Sequence, residues 1–343
     1  MNSCFLLKFN ACMKFVKYIF LMHLVLAVFS AAGQDAQFSQ FYANPVYIAP
    51  SFAGSTNGSR VALNYRDQWP NVPGHFVSYS FSFDHFIPRF NSGVGILALR
   101  DMAGGGKLAA TSIGAVYSYR IRTGQKTYFQ PGISAYYYNR SINFSKLSFA
   151  DQYFGNQYIG SSVEIPPSNN VMHVDFASSM LMYNEHFWTG FNIDHLMKLS
   201  KPINSDYQYP PMRFSLFGGI RFIAKRYYKS RDNETVTLAL NYRTQASIHQ
   251  LDVGAYYYKS PFIVGVWYRG IPVLNEYSGA DAIILMVGYK ADKFSFGYSY
   301  DFTVGRLITA TGGAHEISVG YLFNQNSHPR FKKRLGAIPC PEF

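Results

Sequence analysis

The stretch Phe294-Ser-Phe-Gly-Tyr-Ser-Tyr-Asp-Phe-Thr303 alternates a large aromatic residue with a small or polar one through five repeats. A period of two puts successive side chains on opposite faces of a β-strand. Phe294, Phe296, Tyr298, Tyr300 and Phe302 therefore share one face, and Ser295, Gly297, Ser299, Asp301 and Thr303 share the other. A strand of a soluble sheet would carry Lys and Glu on its wet face, whereas this polar face is small and nearly uncharged. Aromatics facing lipid, backed by small polar residues facing a crowded lumen, predict a transmembrane β-barrel.

Composition agrees with that reading. Of 343 residues, 48% are hydrophobic and 18% aromatic, yet mean hydropathy is close to zero because apolar residues have polar neighbours. After the first thirty-odd residues no run approaches the roughly 18 consecutive apolar residues that a membrane helix needs, so strands would have to do the crossing.

The alternation recurs along the chain. Val77, Tyr79, Phe81 and Phe83 interleave with Ser78, Ser80, Ser82 and Asp84, and Ile317, Val319, Tyr321 and Phe323 with Glu316, Ser318 and Gly320. Strands are predicted at 59–69, 75–86, 92–102, 108–122, 127–140, 171–184, 186–197, 211–225, 234–247, 249–259, 262–271, 280–290, 293–304 and 314–323. Fourteen is an even number, as a closed single-chain barrel of the bacterial outer membrane requires. With the first strand starting at the periplasmic side, the connections 68–74, 103–107, 141–170, 198–210 and 272–279 face outward. The shorter 123–126, 184–185, 259–261 and 291–293 face the periplasm. The connection 225–234 is longer than that scheme expects and basic.

Three segments lie outside the predicted barrel of residues 59–323. Lys8, Lys14 and Lys17, the apolar run from Tyr18 to Phe29, and the small residues Ser30-Ala-Ala-Gly33 have the order of a secretory signal peptide, expected to span residues 1–33. Its removal takes those three lysines, so the formal charge of +12 falls to about +9. That basicity suits acidic lipid headgroups, and export argues against a nucleic-acid partner. Residues 34–58 hold Pro45 and Pro50, which a central strand does not tolerate, and are expected to pack in the lumen as a plug. Residues 324–343 form a basic tail with Arg330, Lys332, Lys333 and Arg334, and with Cys340, the one cysteine beyond the leader.

No catalytic or metal-binding constellation emerges. The nine histidines show no His-x-x-x-His or His-Glu-x-x-His spacing. Asp194-His195 is the most site-like pair, but on a strand adjacent side chains point to opposite faces, which favours a lumenal or interfacial histidine. Ala103-Gly-Gly-Gly-Lys107 lacks the Gly-Lys-Ser/Thr ending of a phosphate loop. No enzyme activity, cofactor or metal is expected.

The ends of the expected mature chain are more distinctive. Phe38-Ser-Gln-Phe-Tyr-Ala-Asn-Pro45, Pro50-Ser-Phe-Ala-Gly54 and Arg66-Asp-Gln-Trp-Pro70, with His315-Glu-Ile-Ser-Val-Gly-Tyr-Leu-Phe323 and Cys340-Pro-Glu-Phe343, resemble the PorP/SprF family of type IX secretion membrane proteins. Trp69, read as an aromatic of the first strand, and Cys340 are carried over as family features without a role.

The resemblance implies a non-catalytic outer-membrane component of the type IX secretion and gliding machinery. Its partners would be a secreted adhesin-type cargo, other secretion subunits and outer-membrane lipid. The surface loops, above all Tyr153, Phe154 and Tyr158, would hold the cargo, and Arg330, Lys332, Lys333 and Arg334 would face the periplasmic apparatus. The alternative is an outer-membrane channel or transporter of hydrophobic substrates.

Overall fold

The computed structural model describes residues 35–105, 107–144, 147–154, 157–158, 160, 170–199, 209–225, 234–270, 282–304 and 311–324. The expected signal peptide and the basic tail lie outside these residues, as do 226–233 and 271–281. No helix among the described residues is long and apolar enough to cross a membrane.

Fourteen antiparallel strands form one closed barrel. They are β1 Ser59–Gln68, β2 Phe76–Ile87, β3 Ser92–Ala103, β4 Leu108–Tyr119, β5 Tyr128–Ile142, β6 Asn170–Tyr183 and β7 Phe187–Asp194. The second half comprises β8 Arg213–Lys225, β9 Glu234–Gln245, β10 Ile248–Lys259, β11 Phe262–Arg269, β12 Ala282–Ala291, β13 Phe294–Thr303 and β14 Ala314–Phe323. Each strand pairs with its sequence neighbours, and β1 pairs with β14 from Ser59 opposite Phe323 to Gln68 opposite Ala314. Closure leaves no edge strand, as a backbone in lipid demands.

The period of two decides which way each residue points. On β13, Phe294, Phe296, Tyr298 and Phe302 are exposed while Ser295, Gly297, Ser299 and Asp301 are buried. On β11, Val264 and Val266 stand outside and Ile263 and Trp267 inside. Aromatic pairs lie at both rims of the outer wall. Tyr65 meets Tyr79 at 5.2 Å near the end where β1 finishes, and Phe294 meets Tyr321 at 4.5 Å near the opposite end. Such girdles mark the two interfaces of an outer-membrane barrel.

The rim where β1 ends, here the loop end, carries the connections 143–169 and 195–212. The opposite rim, the turn end, carries 184–186, 260–261 and 292–293. One connection at the loop end is short: β9 turns into β10 through Ala246 and Ser247, with Ala246 at φ 54°.

Several strand boundaries differ from the sequence reading. The strand expected at 186–197 stops at Asp194, because His195 takes the left-handed conformation at φ 61°. The strand expected at 108–122 breaks at Arg120, whose guanidinium turns inward, and resumes only as the bridge Ile121–Arg122. Trp69 lies just past β1 rather than in it. Its φ is 60°, its N–H donates to the Gly313 carbonyl at 2.8 Å, and its ring meets Phe76 edge-on.

Candidate functional site: a chain segment held in the lumen

An eight-stranded barrel can be filled by its own side chains, but lumen width grows with strand number. Fourteen strands enclose more space than inward side chains close. The described part of the N-terminal segment, from Asp35 to the start of β1, occupies that space. It is compact because Pro45 and Pro50 each start a helical turn, where a missing N–H costs nothing. These turns are the one-turn helix Pro45–Ile48 and the 3-10 turn Pro50–Phe52, and a further 3-10 turn spans Phe41–Ala43. So short a helical run leaves many backbone groups without internal partners, and buried groups of that kind must find them elsewhere. The barrel wall supplies them.

At the loop end the segment begins in a cluster of charges. Asp35 accepts from His195 Nε2 at 2.8 Å and pairs with Arg213 at 3.2 Å, and its backbone N–H donates to Gln245 Oε1 at 3.2 Å. His195 Nδ1 bonds Asp175 at 2.5 Å, and Arg213 also pairs with Asp194 at 2.8 Å. Burial alone would lower the His195 pKa, but the Asp35 carboxylate and the hydrogen bonds to Asp175 and Asp35 raise it to about 10. Burial alone would raise the Asp35 pKa, but His195 and Arg213 outweigh it and hold the carboxyl well below the usual range. The cluster thus sets an imidazolium and a guanidinium among Asp35, Asp175 and Asp194. Tyr47, whose hydroxyl donates to the Ala36 carbonyl and accepts from Arg213 Nη1, ties the cluster to the helical turn.

One step further in, Glu316 of β14 receives the segment's backbone. Its two carboxylate oxygens accept the N–H groups of Ser39 at 2.6 Å and Gln40 at 2.9 Å. Arg66 of β1 balances that charge at 3.2 Å and also pairs with Asp301 of β13 at 2.8 Å. Arg269 joins Asp301 to Asp252, and Ser39 Oγ sits among Arg66, Arg269 and Asp301. The Gln40 amide spans Ser299, Ser318 and the Glu316 carbonyl. Opposite Gln40 the wall carries Gly297, where a β-carbon would come within 2.5 Å of Gln40 Oε1.

Beyond this ionic layer the lumen is apolar. Phe41 packs edge-on against Trp267 at 4.9 Å, Tyr42 stacks on the same indole at 6.4 Å, and Phe52 lies on Phe217 at 5.3 Å. Leu181, Tyr183, Trp188, Ile263, Ile284 and Met286 complete the cluster from the wall.

At the turn end the wall again takes the segment's backbone. Ala53 O accepts from Ser118 Oγ and Gln130 Nε2, both at 2.8 Å. Gly54 N–H donates to Asp84 at 2.8 Å, and Gly54 O accepts from Arg120 at 2.7 Å. Asp84 is balanced by Arg60 at 2.9 Å, and Arg120 lies over the Phe86 ring at 4.0 Å. Two wall glycines meet the segment's main chain directly. A β-carbon on Gly93 would lie 2.0 Å from Ala53 O, and one on Gly132 would lie 2.3 Å from Ser51 N.

The arrangement holds the chain's own backbone against the barrel wall. His195 has both nitrogens engaged by carboxylates, and it reaches the same cluster as Asp194 because its left-handed backbone leaves the strand's alternation. That corrects the expectation that the two side chains would face opposite ways. Tyr153, Phe154 and Tyr158 lie on a two-rung hairpin at the loop end, with Phe154 79% exposed. Arg330, Lys332, Lys333, Arg334 and Cys340 lie outside the described residues. Arg66 and Ser39 were visible as members of terminal motifs, and Glu316 both there and on the polar face of the last strand; Asp301, Arg269 and Arg213 carried a weaker signal, a charge at a strand position.

Among solved structures the chain is similar to the outer membrane protein Omp33 of Acinetobacter baumannii. They share 7% identity over 79% of this chain and 100% of that one, with a TM-score of 0.43. The KdgM porin shares 11% identity over 77% of this chain and 99% of its own, with a TM-score of 0.33. A variant of the Rh. blastica porin shares 8% over 78% and 99%, with a TM-score of 0.35. No curated protein matches the chain. The family described as "Type IX secretion system membrane protein PorP/SprF" matches residues 30–321. The chain belongs to the PorP/SprF family of type IX secretion system membrane proteins.

Proposed function

We propose that this protein is a non-catalytic outer-membrane component of the type IX secretion machinery, one that anchors or assists surface display of an adhesin-like cargo. Residues 35–58 act as a fixed plug, the long loops receive the cargo, and the basic tail meets periplasmic secretion subunits. The observation that carries this reading is the Glu316 carboxylate accepting two consecutive backbone N–H groups inside an Arg-balanced buried layer. A channel needs a path for its solute, and residues 35–58 take up lumen space that such a path would use. The exposed Tyr153, Phe154 and Tyr158 supply the amphipathic aromatic surface that protein interfaces favour.

The test is affinity purification of the intact protein from solubilised outer membranes, with mass spectrometry of what accompanies it. A secreted adhesin or other secretion subunits should co-purify. If neither does while planar bilayers show ion or solute flux through the wild-type protein, the reading fails in favour of a channel.

A further inference from the structure

We infer that the chain is threaded through its own barrel from outside to inside, so that the amino end of the lumen segment is displayed at the cell surface, beside the long loops. The direction follows from the order of contacts. Asp35 is fixed to His195, Arg213 and Gln245, all at loop-end strand termini: just past β7, the first residue of β8 and the last of β9. Ser39 and Gln40 meet Asp301 and Glu316 slightly deeper. Phe41 meets Trp267, Tyr42 meets Met286 halfway along β12, Ser51 meets Ser179, and Gly54 meets Asp84 and Arg120 close to the turn end. Gly58 then accepts from Phe86, and β1 starts upward from the turn end at Ser59.

The segment thus descends the full lumen before the first strand ascends. An even number of strands returns β14 to the turn end, where Phe323 closes opposite Ser59. Loops of outer-membrane barrels are long outside and short inside, so Asp35 lies at the outer mouth and Phe323 at the periplasmic rim. Asp35 and Phe323 therefore lie on opposite sides of the membrane, with the Asp35 rim opening at the cell surface. The sidedness rests on the same loop orientation as the proposed function.

Three tagged versions of the full-length protein test this, each carrying one epitope: between Gln34 and Asp35, within 161–169, or after Phe343. An impermeant antibody should stain the first two on intact cells as strongly as on permeabilised ones, and the third only after permeabilisation. Staining of the loop tag but not the Gln34 tag on intact cells overturns the threading and leaves the functional reading standing. Staining of the carboxyl-terminal tag instead of the loop tag overturns the orientation, and the outward docking surface with it. Where an epitope blocks assembly, Gln34→Cys in a Cys340→Ser background offers a smaller probe. It should react with an impermeant maleimide on intact cells, and labelling that requires permeabilisation would refute the inference.

Discussion

Gly93, the second residue of β3, lies so close to Ala53 that a β-carbon added to it would sit 2.0 Å from the Ala53 carbonyl oxygen. The obstruction is backbone on both sides, so no rotamer change relieves it. Gly93→Val should therefore push the segment off the wall at the cost of an overpacked site, about 1–3 kcal/mol. The strand ladder and the aromatic outer face remain. We expect a barrel that still runs as a folded, heat-modifiable species on gels but is cut by added protease within 35–58 faster than wild type.

Removing residues 35–58 should go further and open the lumen. The wild-type protein is expected to be silent in planar bilayers and the deletion variant to conduct. A silent deletion variant that is demonstrably folded would mean that the wall side chains close the pore by themselves.

Glu316→Ala should destabilise, because it removes the acceptor for two buried backbone N–H groups and leaves Arg66 with Asp301 as its carboxylate partner. Each buried donor left unsatisfied costs about 1–3 kcal/mol. Glu316→Gln keeps an acceptor and should cost less. Denaturant unfolding in detergent, followed by tryptophan fluorescence, would report the order wild type, Gln, Ala.

The loop-end cluster should make the grip on Asp35 depend on pH. His195, raised from 6.5 to about 10, contributes stability that is fully present below 6.5 and lost as pH rises toward 10. Asp35, lowered from 3.8, contributes stability present above 3.8 and lost only in stronger acid. The groups facing His195 are Asp35, Asp175, Asp194 and Arg213, with the rings of Tyr138 and His173 alongside. Protection of residues 35–40 from hydrogen exchange, taken relative to the intrinsic rate at each pH, should be greatest between about pH 4 and 6.5 and fall toward pH 10. His195→Ala should remove that fall.

Alanine at Tyr153, Phe154 and Tyr158 together should reduce cargo recovery in affinity purification without altering barrel yield, since these side chains stand in solvent. Replacing Arg330, Lys332, Lys333 and Arg334 should instead reduce recovery of periplasmic subunits. Equal losses of both groups from either variant would argue that neither patch is a separate docking surface.

The barrel was legible because strand periodicity is a local property, written within ten residues of Phe294. Boundaries were harder where a residue abandons the alternation for a reason set by tertiary contacts. Arg120 turns inward to reach Gly54 and Asn57, and His195 goes left-handed to meet Asp35 and Asp175. The lumen site was half legible. Its residues stood in the motifs at the two chain ends, but no periodicity says that Ser39 touches Glu316, 277 positions away. Charges inside a strand, such as Asp301 and Arg269, were the available hint, because an inward charge needs a counter-charge on another strand.

The pairing of β14 with β1 also couples two events. The strand made last carries Glu316 and Ser318, which hold Gln40, and the same strand supplies the seam along Ser59–Gln68. Neither the seam nor the hold on Gln40 is complete until β14 is in place, so the last strand of the barrel closes the wall and fastens the lumen segment together.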